Sequence, residues 1–246
     1  MADIRDVLPQ QSQTVIAVYE HWNRKGKAKQ FATQALSASI LGKPCERYLW
    51  YAFRHCCGPN FDGRMYRLFA HGCLEEARIE EDLRGIGCTV HMLDENGKQF
   101  KVTALGGHLS GRLDGAVLGI PEAPKTWHVL EGKTHSAKSF KRLISKGVKE
   151  VKPEHYAQVM VYMHLSGMTR ALYWATNKDT DELYTERIRY SKGEAEALIE
   201  RARRVIVATT PPERISDRPD YYQCRWCDAK DICHGSPTSA LPVPSL

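Results

Sequence analysis

Apolar residues recur with a helical period from Met65 to about Leu83, where Leu68, Phe69, Ile79 and Leu83 alternate with charged positions. That spacing predicts one long amphipathic helix. Upstream, Pro44 stands at a first helical position before Tyr48, Leu49, Trp50 and Tyr51, and predicts a shorter helix that the Gly/Pro/Asn/Asp cluster at 58–63 ends. Residues 1–36 are polar, and Trp22–Lys29 reads as a helix end followed by a basic loop. Beyond the long helix the period falls to two. Thr89–Leu93 and Gln99–Thr103 flank Asp94-Glu95-Asn96-Gly97, a hairpin signal. Residues 108–118 and 127–133 read as two strands, His155–Ser166 as a helix, Ala171–Thr176 and Leu183–Tyr190 as strands, and Glu194–Ala208 as a helix stopped by Pro211-Pro212.

Helices, then strands, then a helix, strands and a helix predict an α/β fold with a central mixed β-sheet flanked by helices. The expected organisation is a helical or polar N-terminal segment (1–36), one domain (37–236) that includes a cysteine cluster at 224–233, and a disordered Pro/Ser-rich tail (237–246). No run of about 18 apolar residues is present, so no transmembrane helix or membrane partner is expected. The N-terminus lacks the basic-then-apolar pattern of a signal peptide, and the expected location is the cytoplasm.

The formal charge of +6 permits nucleic-acid binding without demanding it. Its distribution adds more, since Lys133 to Lys152 carries seven Lys/Arg residues and one acid, Glu150. Such a run is commonly a solvated helix face. Its place beside the residues below favours a phosphate-tracking surface.

Asp114 lies in Ser110-Gly-Arg-Leu-Asp-Gly115, and Leu130-Glu131-Gly132-Lys133 follows. On a strand, the period of two puts Glu131 and Lys133 on one face, where a neighbouring strand can bring Asp114. An isolated Glu-x-Lys is most often a cross-strand ion pair. Here Val117, Leu118, Val129 and Leu130 surround the charges, and buried strands seldom hold several charges without a partner or a metal. Two carboxylates and an amine suit metal-assisted phosphoryl hydrolysis: hard Mg²⁺ or Mn²⁺ binds carboxylate oxygens, lowers the pKa of its water and screens phosphorane charge. The long helix offers Glu75 and Glu76, and Gln158 and Tyr162 stand four apart on a later helix, hence on one face.

The order Gly-x-x-x-Glu, Gly-x-x-Asp-Gly, Glu-x-Lys, Gln-x-x-x-Tyr resembles the PD-(D/E)XK nucleases, in particular their RecB-like and phage recombination exonuclease branches. The resemblance spans about Ser37 to Cys233. It implies a restriction-endonuclease-like core in which Asp114, Glu131 and the carbonyl of Gly132 ligate Mg²⁺ or Mn²⁺ and Lys133 is the catalytic lysine. Glu76, in preference to Glu75, is the helix acid and a further metal ligand, and Gln158 and Tyr162 support the site and contact DNA. It further implies a DNA exonuclease of recombination or end processing, of phage or prophage type, leaving a 5′-phosphate and a 3′-hydroxyl. A single-strand annealing protein is the partner expected by analogy. Relatives often carry a metal-binding histidine on the first helix; here His71 and Cys73 flank Gly72, and a histidine ligand stays open, with His108 read as structural.

Cys224-x2-Cys227-x5-Cys233 is too compact for a chance core feature, and thiolates favour zinc or an iron–sulfur cluster with a fourth ligand. His234 adjoins Cys233, but Cys45, at a helix start, is the better candidate. The arrangement resembles the 4Fe–4S site of AddB-type and CRISPR-associated RecB-like nucleases, which implies a structural cluster tying the C-terminal cysteines to the N-terminal helix; zinc and unmetallated thiols are the alternatives. Cys56, Cys57, Cys73 and Cys88 read as small buried residues. Two other functions fit the same residues: a CRISPR-adaptation-type nuclease trimming DNA ends, and a non-catalytic DNA-binding module on the same fold.

Overall fold

The computed structural model describes residues 12–28 and 34–235. The expected tail at 237–246 lies outside them, as do residues 1–11 of the N-terminal segment.

Two sheets form the frame. The larger contains β2 (Thr89–His91), β5 (Gly115–Leu118), β6 (His128–His135), β7 (Arg170–Asn177) and β8 (Leu183–Arg189), hydrogen-bonded in the order β2-β5-β6-β7-β8. Only β6 and β7 run parallel, with Glu131 opposite Tyr173; the other pairs are antiparallel. A parallel neighbour needs a crossover, and α4 (Ala137–Val151) with α5 (Pro153–Ser166) supplies it. The smaller sheet has the order β1-β4-β3, from Leu36–Ser37, Leu109–Arg112 and Lys101–Ala104. The central sheet is mixed and flanked by helices, as expected.

Each face of β6 buries a different core. Val129 joins the cluster formed with α2 (Glu46–Phe53), α5 and α6 (Lys192–Val207), whereas Leu130 joins Ile79 and Leu83 of α3 (Gly63–Gly85), with Val90, Val117, Leu172 and Trp174. Both faces are covered, so β6 and β7 read as nearly continuous buried runs, and the charges on β6 sit where water is scarce.

Several expectations are corrected. Residues 108–118 are two strands, not one: β4 ends at Arg112, β5 begins at Gly115, and the two belong to different sheets with Asp114 at the break. The hairpin at 89–103 keeps its turn, closed by Asp94 N–H donating to the Lys98 carbonyl at 2.7 Å, but its arms part after a bridge between Leu93 and Gln99. β2 pairs with β5 and β3 with β4. Pro44 is not the first helical residue; α2 begins at Glu46, and Cys45 is its N-cap, with the thiol accepting from Tyr48 N–H at 3.4 Å. The Lys133–Lys152 run contains a helix, α4, that the sequence reading left out. Within the described residues the N-terminal segment forms α1 (Gln13–Ala28), longer than the helix end read at Trp22, and α7 (Lys230–His234) is also additional.

Long arginines bind the chain's distant parts. Arg54, the C-cap of α2, donates to the carbonyls of Val205, Ile206 and Ala208 at the C-terminal end of α6, and the Trp50 indole N–H also donates to Ala208, at 2.8 Å. In the other direction Arg201 of α6 donates to the carbonyls of Leu41 (2.8 Å), Lys43 (2.6 Å) and Pro44 (2.9 Å), and pairs with Glu46. Arg201→Met keeps the aliphatic stem but strands these acceptors. Its expected cost is about 2–3 kcal/mol, read as a lower midpoint with an unchanged slope in urea unfolding.

Candidate active site

Three of the expected residues meet where β5 and β6 splay apart. Leu113 is buried, so the chain turns from one sheet to the other with Asp114 aimed at β6, where its Oδ2 accepts the Gly132 N–H at 3.0 Å. Glu131 and Lys133 project from the same face of β6, as the period of two requires. The Lys133 ammonium is ion-paired with Glu131, lies 3.8 Å from Asp114 Oδ2 and donates to the Gly132 carbonyl at 3.1 Å. Three of the four groups expected to ligate metal, two carboxylates and one carbonyl, therefore share one cationic neighbour.

Glu131 is fully buried, and neither of its oxygens accepts a hydrogen bond of normal geometry from a described residue. Burial pushes its pKa up to about 7 against the pull of Lys133. Burial opposes the charge on Lys133 as well, but Glu131 and Asp114 outweigh it and hold the ammonium protonated well above the ordinary lysine range. Glu76 joins electrostatically: burial and then Asp114 raise its pKa, while Lys133 lowers it. Glu75 is buried but committed elsewhere, accepting from Thr176 Oγ1 at 2.7 Å and pairing with Arg78 at 3.2 Å. Of the two adjacent acids, Glu76 is the one turned to the site.

Gln158 and Tyr162 lie together, with Gln158 Nε2 donating to the Tyr162 hydroxyl at 3.0 Å. The ring rests on Gly111: a Cβ there would come within 2.3 Å of the Tyr162 ring, which accounts for the glycine three residues before Asp114. Glu131 and Asp114 both raise the pKa of Tyr162 after burial, so its hydroxyl belongs to the same electrostatic site.

Cavities open on two sides of these residues. One, of about 490 Å³, is lined by Glu75, Glu76, Gly132 and Lys133 and, opposite, by Ser139, Lys152, His155 and Lys178. The other, of about 740 Å³, holds Asp114, Tyr162, Arg112, Lys101, Ser37 and Ser39. Cys73 and Gly72 face the first cavity; His71 lines a different one. His108 is exposed, edge-on to Phe53.

The sequence reading missed a buried chain beside Lys133. Ser139 Oγ meets His135 Nδ1 at 3.2 Å, His135 Nε2 meets the Tyr173 hydroxyl at 3.0 Å, and that hydroxyl meets His155 Nδ1 at 2.7 Å. Only the spacing of His135 two residues after Lys133, on the same strand face, could have signalled it. It also missed Lys178 of the β7–β8 turn, which the fold brings to the same cavity as Lys152, the end of the basic run.

Among the described residues, no group of three or more His, Cys, Asp or Glu side chains is arranged to hold a metal ion as it stands. The chemistry of the donor set still fits a hard divalent cation at the carboxylates: the buried carboxylate of Glu131 needs positive charge, and among the described residues the Lys133 ammonium is what pairs with it.

A second small cavity, of about 20 Å³, is lined by Cys45, Cys224, Cys227, Cys233 and His234. The four expected cysteines thus converge, although about 180 residues separate the first from the rest. All eight cysteines are free thiols. His234 Nε2 is buried there without a hydrogen-bond partner. Of the four cysteines read as small buried residues, only Cys88 is buried; Cys56 and Cys57 are half-buried and Cys73 is exposed.

A mixed sheet with carboxylates and a lysine at the parting of two strands defines a phosphodiesterase-type nuclease core. The chain belongs to the PD-(D/E)XK nuclease superfamily, whose family model matches residues 27–234. Its fold is similar to that of the protein SSO0001 (TM-score 0.53, 14% identity, covering 91% of this chain and 98% of that one). It is also similar to LHK-Exo, an alkaline exonuclease from Laribacter hongkongensis. The LHK-Exo complex with dAMP gives a TM-score of 0.52 at 15% identity, covering 76% of this chain and 90% of that one. The LHK-Exo structure described as an alkaline exonuclease gives 0.50 with the same identity and coverage. No curated protein matches the chain.

The histidines yield a pH dependence. Burial first, then Lys152 and Lys133, pull His135 down to about 4, and burial, Lys133 and Lys152 pull His155 down to about 3. Between these values and the ordinary 6.5 the unfolded chain binds more protons, so this stabilisation is complete above pH 6.5 and is lost on acidification towards pH 4 and below. His155→Gln is expected to flatten the fall in unfolding temperature between pH 6.5 and 4 relative to wild type. Parallel curves would contradict the assignment.

Proposed function

We propose that this protein is a Mg²⁺- or Mn²⁺-dependent DNA exonuclease acting in recombination or DNA end processing, in a phage or prophage setting. The observation that carries the proposal is the focus of Asp114, Glu131 and the Gly132 carbonyl on one cation, with Glu76 close enough to shift with them. Asp114, Glu131 and Gly132 would hold the metal, with Glu76 beside them. A bound divalent ion would supply an acidified water and charge neutralisation at the scissile phosphate.

The chain's own residues account for the rest. Lys133, kept protonated by its two carboxylates, offsets the negative charge that develops on the phosphate. The Gln158–Tyr162 pair presents a phenol that remains an O–H donor at neutral pH, since burial raises its pKa, and so can hold a phosphate oxygen. Lys152 and Lys178 line the cavity next to Lys133 and give a polyanion cationic contacts there. The fold likeness to an alkaline exonuclease favours attack from ends.

The four convergent cysteines support a second part of the proposal: a structural metal centre, 4Fe–4S or zinc, held by Cys45, Cys224, Cys227 and Cys233. Thiolate donors suit either, and the unpartnered His234 nitrogen suits zinc.

End-labelled linear DNA and closed circular DNA incubated with Mn²⁺ test the first part. Linear DNA should be consumed while the circle persists, and Asp114→Ala or Lys133→Ala should slow the reaction at least about 100-fold. Undiminished digestion by either variant would reject the site, and equal cutting of the circle would reject the exonuclease. Elemental analysis of anaerobically purified protein, with absorption near about 400 nm, tests the second. Iron with that band, or stoichiometric zinc without it, is expected, and Cys227→Ser should lose it; protein free of both metals would refute the centre.

A further inference from the structure

Apart from the carboxylate site, a cavity of about 420 Å³ lies between α1 and α3, lined by Tyr19, Trp22, Arg64, Arg67, His71 and Leu74. It adjoins the active-site cavity, because Leu68 lines both. The two helices meet closely: a Cβ on Gly63 would fall 1.7 Å from the Tyr19 carbonyl oxygen, so only glycine lets α1 seat on the start of α3. Tyr19 and Trp22 from α1 therefore face Arg64, Arg67 and His71 of α3.

The arginines of α3 divide into two kinds. Arg78 pairs with Glu75 and Asp181, and Arg84 pairs with Glu80. Arg64, by contrast, reaches only the Met65 sulfur, at 3.4 Å, and no described carboxylate pairs with Arg64 or Arg67. The Asp62 carboxylate caps the start of the helix by accepting the Met65 N–H at 2.8 Å, and it forms no ion pair with Arg64 or Arg67, so Arg64 stands in the first turn, at the positive end of the helix dipole, without a carboxylate partner. Such placement is locally unfavourable, the kind of violation that marks a ligand surface. Positions 64, 67 and 71 follow i, i+3, i+7 spacing and form one stripe roughly 10 Å long. Lys25 Nζ, 4.5 Å from the Trp22 ring centroid, adds a further cation.

Aromatic faces beside a line of unpaired cations suit a flexible strand whose bases are free to stack and whose phosphates need neutralising. A duplex presents its phosphates but not its base faces. We propose that this cavity is a stacking platform for single-stranded DNA, engaging nucleotides a short distance along the strand from the scissile bond. The identity of the occupant rests on the nuclease reading above; the chemistry of the cavity does not.

The test is fluorescence anisotropy with a labelled 20-nucleotide oligothymidylate, using the full chain carrying Asp114→Ala without divalent metal so that nothing is cleaved. On that background Trp22→Ala is expected to weaken binding about tenfold, with Trp22→Phe restoring most of it. Arg64→Ala with Arg67→Ala should weaken binding and reduce the salt slope by about 1 to 1.5. A blunt duplex of equal length should bind with little change in the Trp22→Ala variant. Circular dichroism of each variant checks folding. Single-strand affinity and salt slope unchanged within twofold in both variants would overturn the proposal, as would equal losses for strand and duplex. The two readings fail separately: persistent cleavage by Asp114→Ala sinks the active site and leaves the platform, whereas unaltered binding by the Trp22 and arginine variants sinks the platform and leaves the active site.

Discussion

Everything at the centre of this molecule follows from one carboxylate placed where water cannot reach it. Glu131 sits on a strand covered on both faces, fully buried, and among the described residues the Lys133 ammonium is the donor that pairs with it. An isolated buried carboxylate would cost several kcal/mol. The protein meets this cost with the Lys133 ammonium, which Asp114 and the Gly132 carbonyl also address. The ion pair is weak as a stabilising device, since each charge has been taken from water. Its use lies in holding three oxygen-bearing groups around a single positive centre before any ligand arrives.

The surrounding fold keeps that centre in place. The break at Leu113–Asp114, where one apparent strand divides between two sheets, moves Asp114 out of the pleat and across to the backbone of β6. Tyr162 packs against Gly111 on the strand just before the break, so the position of α5 and that of Asp114 depend on each other. The parallel pairing of β6 with β7 brings Tyr173 opposite Glu131, and its hydroxyl links two neutral histidines near Lys133. Uncharged imidazoles there add no further positive charge beside the ammonium.

Much of this was legible from residue order. The period of two through Glu131 and Lys133, the Gly-x-x-Asp pattern and the Gln-x-x-x-Tyr spacing each encode local geometry, and local geometry survives folding. The sequence was less informative where partners are distant. The 89–103 segment has a real turn, yet its arms choose strands β5 and β4, a choice made by packing over more than ten residues. Helix α4 was hidden in a basic run and interrupted at Gly147, where φ is 76° and Val148 N–H donates to Glu186 at 2.8 Å. Nothing near residue 148 announces a carboxylate 38 positions away. Lys178 was invisible for the same reason.

The cysteines illustrate the opposite case. Three of them are close in sequence, but their convergence with Cys45 depends on α2 and α6 being locked together, and arginines do the locking. Arg54 reaches from α2 to the end of α6, Arg201 reaches back to the carbonyls just before Cys45, and both spans exceed 150 residues. The backbone around the thiols is thus fixed by hydrogen bonds that do not involve them. A metal centre there would find its first ligand already positioned, and closing so long a loop would cost it little, because the arginines have already borne most of that entropy. The guanidiniums join α2 to α6 by themselves, and a metal at the thiols would add a second link to a junction already made.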